Sequence, residues 1–211
     1  MSNCADVECE QFQFLGGWLC LDFVNTLDER SSASPIESLL SYSDLTRWGL
    51  ESEALTQHQT EGLISSSTAR AQDAALALTT AIDLRETIFR IFFALTQDEA
   101  PDDLDIAALH TAIVDATANS ELAAKSDRFI LDWPDDPDAL DRVTWAVAQS
   151  AANLLTSGFL DRVKACDEGP CRWIFLDTSR NGRRRWCDMK VCGNRAKARA
   201  HYQRQKSASE G

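Results

Sequence analysis

LDRVKACDEGPCRWIFLDTSRNGRRRWCDMKVCGNRAKARAHYQRQK, residues 160–206, decides the architecture of this chain. Its four cysteines fall as Cys166-x4-Cys171-x15-Cys187-x4-Cys192. Two close pairs separated by a longer stretch let a chain fold back and offer four thiolates to one ion, the set Zn2+ takes in structural sites. One such pair alone would read as buried thiols or a disulfide. Two matched pairs in one short basic segment point to a single structural Zn2+ per chain, ligated by Cys166, Cys171, Cys187 and Cys192. Four thiolates leave no open coordination position, so a catalytic zinc is not expected. Gly169 and Pro170 suit a tight knuckle, and Gly193 would let the backbone turn close to the metal.

The same segment is basic. Residues 161–206 hold 13 Lys/Arg against 5 Asp/Glu, whereas residues 1–160 hold 8 against 27. The overall net charge of −12, to which Glu210 contributes the last −1, therefore hides a module of +8 attached to a domain of −19. Polyanions attract the first and are repelled by the second. The strand Arg172–Leu176 is expected to lead into a hairpin tip at Asn181-Gly182. Beyond it, Arg183, Arg184 and Arg185 form an arginine loop beside Trp186. Asn194 can cap a helix favoured by Ala196, Ala198 and Ala200. On that helix Arg195 and Arg199 share one face, and Lys197, His201 and Arg204 another. Arg183, Arg184, Arg185, Asn194, Arg195, Lys197 and Arg199 are the candidate nucleic-acid contacts. Arg and Asn are the residue types that read guanine and adenine edges, although the sequence does not separate base readout from phosphate contact.

Working outward, residues 1–10 read as a mobile polar tail, 11–157 as one domain, and 158–206 as the zinc module, with Gly158 at the boundary. Trp18–Leu27 is a short apolar element and Glu29–Ser34 a loop. A helix is expected over Asp44–Leu50, capped by Ser43 or Asp44. A long one is expected over Ser65–Gln97, and another from Pro101 to about Asn119. Glu121–Lys125 and Arg128–Trp133 suggest a hairpin, and Asp138–Thr156 a last helix. The fold class is therefore α+β: a mostly helical domain with a small sheet, then a zinc-stabilised module with a hairpin and a basic helix. Cys4 and Cys9 read as ordinary thiols and Cys20 as core.

Arg85 falls inside the apolar arc formed by Leu84, Ile88, Ile91 and Phe92 on the long helix. A guanidinium there needs a partner, since an unpaired buried charge is costly. Asp22 is the obvious candidate, with Asn25 and Thr26 on the same face if this segment is helical. One reading is a structural ion pair fixing helix packing. The other is a polar floor, Asp22, Asn25, Thr26 and Arg85, under a small-molecule pocket.

Residues 173–206 closely resemble the CGNR zinc-finger family, named for the residues that here are Cys192, Gly193, Asn194 and Arg195. The Leu176-Asp177-Thr178-Ser179 and Arg185-Trp186-Cys187 elements match as well. The preceding domain resembles the ABATE domain of stress-induced bacterial transcription regulators, through Leu21-Asp22-Phe23-Val24-Asn25-Thr26 and Leu84-Arg85. The resemblance implies a one-component regulator in which the ABATE domain senses a small molecule.

These readings lead to a regulator that binds double-stranded DNA, with a small-molecule effector and a homodimer as further partners, working in the cytoplasm at the nucleoid. An RNA-binding zinc protein or a protein-interaction module are the alternatives. An enzyme is not expected: there is no Gly-rich phosphate loop and no HExxH, and His58, His110 and His201 are isolated. The first thirteen residues lack Lys, Arg and an apolar core, so no secretory leader is expected. No apolar run reaches the length of a membrane span, and no membrane partner is expected. In a reducing compartment the thiols would stay free or bind metal.

Overall fold

The computed structural model describes residues 12–125 and 128–209. The tail at 1–10, with Cys4 and Cys9, lies outside the described residues. The centre of the molecule is a helix of six residues, α1 (Leu19–Val24), in which Cys20, Leu21, Asp22, Phe23 and Val24 are all buried. A helix apolar on every side must be enclosed by other elements. Here α4 (Ala71–Thr96), α6 (Arg142–Leu155) and the module strand β6 (Ile174–Leu176) surround it. The Phe23 ring meets Trp48 of α2 (Tyr42–Glu51) edge to face at 4.8 Å. This geometry suits the ring quadrupoles. After α1 the chain leaves the helix and forms β1 (Leu27–Asp28), paired antiparallel with β2 (Ile36–Glu37) across the expected loop.

Several boundaries differ from the sequence expectation for identifiable reasons. The cap of α2 is Ser41, which accepts from the Asp44 N–H at 3.2 Å, so Asp44 is the third residue of the helix rather than its cap. The long helix is two. α3 (Gln57–Ala69) opens on a reciprocal capping box between Thr56 and Gln59, and α4 begins after Arg70. The Ser-rich end of α3 turns its hydroxyls back on the backbone, Ser67 and Thr68 both donating to the Ile64 carbonyl. Such bonds bend helices. At the break, Arg70 donates to the Asp73 carboxylate at 2.9 Å and to the Asp138 carbonyl at 3.0 Å. α5 (Asp103–Ala118) is capped by Asp102, and β3 (Glu121–Lys125) pairs with β4 (Arg128–Asp132) as expected. α6 starts at Arg142, four positions later than expected. Residues 138–141 form turns instead, with the Asp138 N–H donating to the Asp136 carboxylate.

The zinc module docks on this core rather than hanging from it. Val163, Ile174 and Leu176 belong to the same apolar cluster as α1, α4 and α6. Its hairpin also differs from expectation. β6 pairs antiparallel with β5 (Val163–Ala165), a strand not anticipated, and the first cysteine knuckle is their turn. Asn181-Gly182 does form a turn, with Gly182 at φ +59°, but it links no paired strands. Among the described residues, no helix is long and apolar enough to cross a membrane.

Candidate metal centre and nucleic-acid interface

The β5–β6 hairpin brings Cys166 and Cys171 to one end of its knuckle, and the chain returns to add Cys187 and Cys192. All four thiols are buried, and their sulfur atoms lie within 4.8 Å of one another. Cys171 and Cys187 are 3.7 Å apart, and Cys187 and Cys192 3.6 Å. Four thiolates around Zn2+ at about 2.3 Å would sit about 3.8 Å apart. The donor set and its spacing therefore fit a tetrahedral zinc. The Cys187 N–H also points at the Cys166 sulfur at 3.5 Å, a polarity that favours thiolate there. Trp173 and Phe175 are buried with the four cysteines, and Trp186 packs against them. Gly193 is closely packed: a Cβ there would come within 2.5 Å of the Met189 sulfur, which would have to swing aside, and 3.3 Å of the Trp186 ring.

Asp177 holds the second half of the module in place. Its carboxylate, fully buried, accepts from Lys164 Nζ at 2.7 Å, from the Ser179 N–H at 3.0 Å and from the Arg184 N–H at 2.9 Å. These donors outweigh the burial that opposes ionisation and hold its carboxyl well below the usual range. The residue was legible in the sequence only as part of a matching motif. Neither Lys164 nor this brace was signalled by spacing.

The candidate nucleic-acid residues separate into two groups. Arg184 turns inward: Nε donates to the Trp186 carbonyl at 2.9 Å, a terminal nitrogen reaches the Cys187 carbonyl, and the guanidinium lies 4.4 Å from the Phe175 ring centre. Arg184 thus braces the zinc knuckle, contrary to the expectation of an outward phosphate contact. Arg185 lies beside Trp186 and pairs with Asp167 at 2.7 Å. Arg195 reaches Glu29 of the helical domain at 3.5 Å, and Arg199 pairs with the buried Glu168. Asn194 is not the cap of the last helix, α7 (Asn194–Ser209). A π-helical turn, Met189–Gly193, capped by Asp188, runs directly into α7, and the Asn194 amide donates to the Lys190 carbonyl. Arg183, Lys197, His201 and Arg204 are exposed and engage no acid among the described residues. One face of α7 is thus held by the protein's own carboxylates, and the other is free to meet an external anion.

The residues expected to floor an effector pocket have other partners. Arg85, 2% exposed, makes a two-pronged ion pair with Glu37 at 2.7 Å and a further one with Glu86 at 2.8 Å. It also donates to the Thr26 hydroxyl at 3.1 Å. The expected Asp22–Arg85 pair does not form. Asp22 instead accepts from the Gly16 N–H at 2.7 Å, and burial pushes its carboxyl up to about 6. Asn25 bonds both backbone groups of Ile174. Asp22, Asn25 and Thr26 do line a cavity with Phe12, Trp48 and Trp173, but its volume is about 120 Å³. Ligand pockets usually run from about 300 to 1,000 Å³.

Family comparison agrees with this geometry. The family described as "Putative stress-induced transcription regulator", ABATE, matches residues 17–158, and the CGNR zinc finger matches residues 162–205. The chain belongs to the ABATE family and carries a CGNR zinc finger at its C-terminal side. No match was found among curated proteins.

Proposed function

We propose that this protein is a DNA-binding transcription regulator whose CGNR module, built on one structural zinc, contacts duplex DNA while the ABATE domain responds to a small molecule. The observation that carries the reading is the face of α7 bearing Lys197, His201 and Arg204. It is exposed beside a rigid four-cysteine knuckle, on a chain whose remainder is strongly acidic. A basic helix on a rigid base can follow a groove and touch phosphates on its walls. Arg183 and Arg185 extend the positive surface. The ion pairs Arg195–Glu29 and Arg199–Glu168 would exchange their carboxylates for phosphates on binding, and the first of them, made to the helical domain, gives that domain a hold over the interface. So small a surface binds weakly as a single copy, so two chains on one site would raise the affinity. Asn25 serves in this reading as the joint between domains, while Asp22, Thr26 and Arg85 bond within the helical domain, their hydrogen-bonding groups already largely occupied.

The test is fluorescence anisotropy with the full zinc-loaded chain, comparing duplex DNA with single-stranded RNA across a salt series, followed by sequence selection with and without a metabolite library. Tight duplex binding that falls steeply with salt, and an enriched motif, are expected. Preference for the RNA, or no enrichment in either condition, would retire the DNA reading in favour of an RNA-binding or protein-interaction module.

A further inference from the structure

A large concavity lies away from the zinc module, between α4 and α5. Its volume is about 760 Å³, within the range of small-molecule sites. One wall is a single face of α4, including Asp73, Ala77, Thr80, Asp83, Leu84 and Thr87, and the facing wall is a stripe of α5, Ala108, Thr111, Ala112 and Asp115. The small side chains on both helices leave the space between the walls unfilled. The turns at 138–141 and the first turn of α6 close the far end with Leu140, Thr144 and Trp145.

Two independent features mark this groove. The first is charge. Asp73, Asp83, Asp115, Asp136, Asp138 and Asp141 line it, with Arg70 as the one cation among its lining residues. Arg70 is engaged with Asp73 and Asp138 at one end. Asp115 accepts from the Trp145 indole N–H at 2.7 Å. Asp141, half-buried, forms no ion pair among the described residues, and burial with the nearby Asp115 raises its carboxyl above the ordinary range. The second feature is a hydroxyl. Thr144 is 5% exposed and lines the groove, yet its Oγ1 is buried with no hydrogen-bond partner. The usual partner of a helical threonine, the carbonyl four residues back, belongs here to Leu140 and accepts from Tyr42. A buried unpaired hydroxyl costs free energy until something bonds to it.

We propose that this groove is a binding site for an organic ammonium ion with an apolar body. The ammonium sits near Asp141 and donates to it, and a rotation of the Thr144 side chain brings its enclosed Oγ1 to accept as well. The apolar body lies along Ala77, Leu84, Ala108, Ala112 and the Trp145 ring. A bare metal ion does not fit the arrangement. Among the described residues the four cysteines are the one group of metal-ligating side chains close enough to share an ion. The carboxylates are spread along the groove, which suits an extended organic cation. The proposal deepens the effector part of the reading above by giving it a place and a ligand chemistry. It is tested without DNA, so its failure leaves the zinc module's role untouched, and loss of DNA binding leaves the groove untouched.

The experiment is isothermal titration of the full zinc-loaded chain with tryptamine, with its neutral alcohol analogue tryptophol, and with spermidine. Tryptamine is expected to bind about tenfold or more tighter than tryptophol, the discrimination a desolvated ion pair supplies. Asp141→Asn should remove most of that difference, and Thr144→Val should weaken tryptamine several-fold without lowering the melting temperature. Ala108→Phe, on the exposed wall, should block the groove while leaving zinc content and fold unchanged. Equal binding of tryptamine and tryptophol, no binding of either, or unaltered tryptamine binding by Asp141→Asn and Ala108→Phe would each overturn the proposal. Binding of spermidine alone would do so too, by reducing the groove to a diffuse attraction for polycations.

Discussion

The Asn25 side-chain amide bonds both backbone groups of Ile174: its Nδ2 donates to the carbonyl at 2.9 Å, and its Oδ1 accepts from the N–H at 2.9 Å. Asn25 closes α1 of the helical domain, and Ile174 opens the strand that carries the cysteine knuckle. One side chain thereby satisfies both polar groups of a fully buried residue across the domain boundary. Asn25→Leu would strand both. The expected cost is about 2–5 kcal/mol, from two buried groups left unpaired. Chemical denaturation of the zinc-loaded protein would measure it. A change below about 0.5 kcal/mol would show that water replaces the amide without penalty.

The joint also changes what zinc removal should do. Because Val163, Ile174 and Leu176 sit in the main core, the module is not an independent unit. Cys187→Ser, or chelation of the metal, is expected to unfold the knuckle and also to lower the melting temperature of the helical domain. Metal analysis should give one zinc per chain before treatment. Hydrogen exchange would then show α1 losing protection together with β6. Protection of α1 unchanged by chelation would mean that the two halves are energetically separate.

The arginines of the loop should divide by role. Arg184→Ala is expected to weaken zinc retention, since it frees the carbonyls of Trp186 and Cys187. Alanine at Arg183, Lys197 and Arg204 together should leave zinc and stability unaltered. That triple change should weaken DNA binding uniformly across sequences and reduce the salt dependence by about one ion per lost phosphate contact. Competition with a zinc chelator and binding at several salt concentrations separate the two outcomes.

Asp22 gives a pH dependence with a defined sign. Its folded carboxyl stands at about 6, above its ordinary value of 3.8. Folding therefore favours the protonated form. That contribution is complete below about pH 4 and is lost as pH rises through 6. A shift of this size corresponds to about 3 kcal/mol at neutral pH. Asn at this position keeps an acceptor for the Gly16 N–H without the charge. Asp22→Asn is expected to raise the melting temperature at pH 7–8 and to leave it nearly unchanged at pH 4. Asp177 works in the opposite direction. Its depressed carboxyl adds stability above about pH 4 that fades as pH falls through its folded value.

The four-cysteine cluster was legible in the sequence because a metal-ligand set is written in residue type and spacing, both local. The α+β class and most helices were legible for the same reason, through apolar periodicity and turn residues. The break at Arg70 was not, since its contacts lie with Asp138, far along the chain. Arg85 announced that it needed a partner, but not which one. Glu37 sits on a two-residue strand that no periodicity reveals, while the nearer guess, Asp22, faces Gly16. Likewise nothing in RNGRRRW distinguishes Arg184, folded over the knuckle, from Arg183, left in solvent. By itself the sequence determined which four cysteines form a metal-ligand set and where positive charge collects. Only the tertiary structure decided which charges are already neutralised, which polar groups remain unpaired, and that module and domain share one core. Those properties depend on groups brought together from distant positions, and burial raises the cost of leaving any of them without a partner.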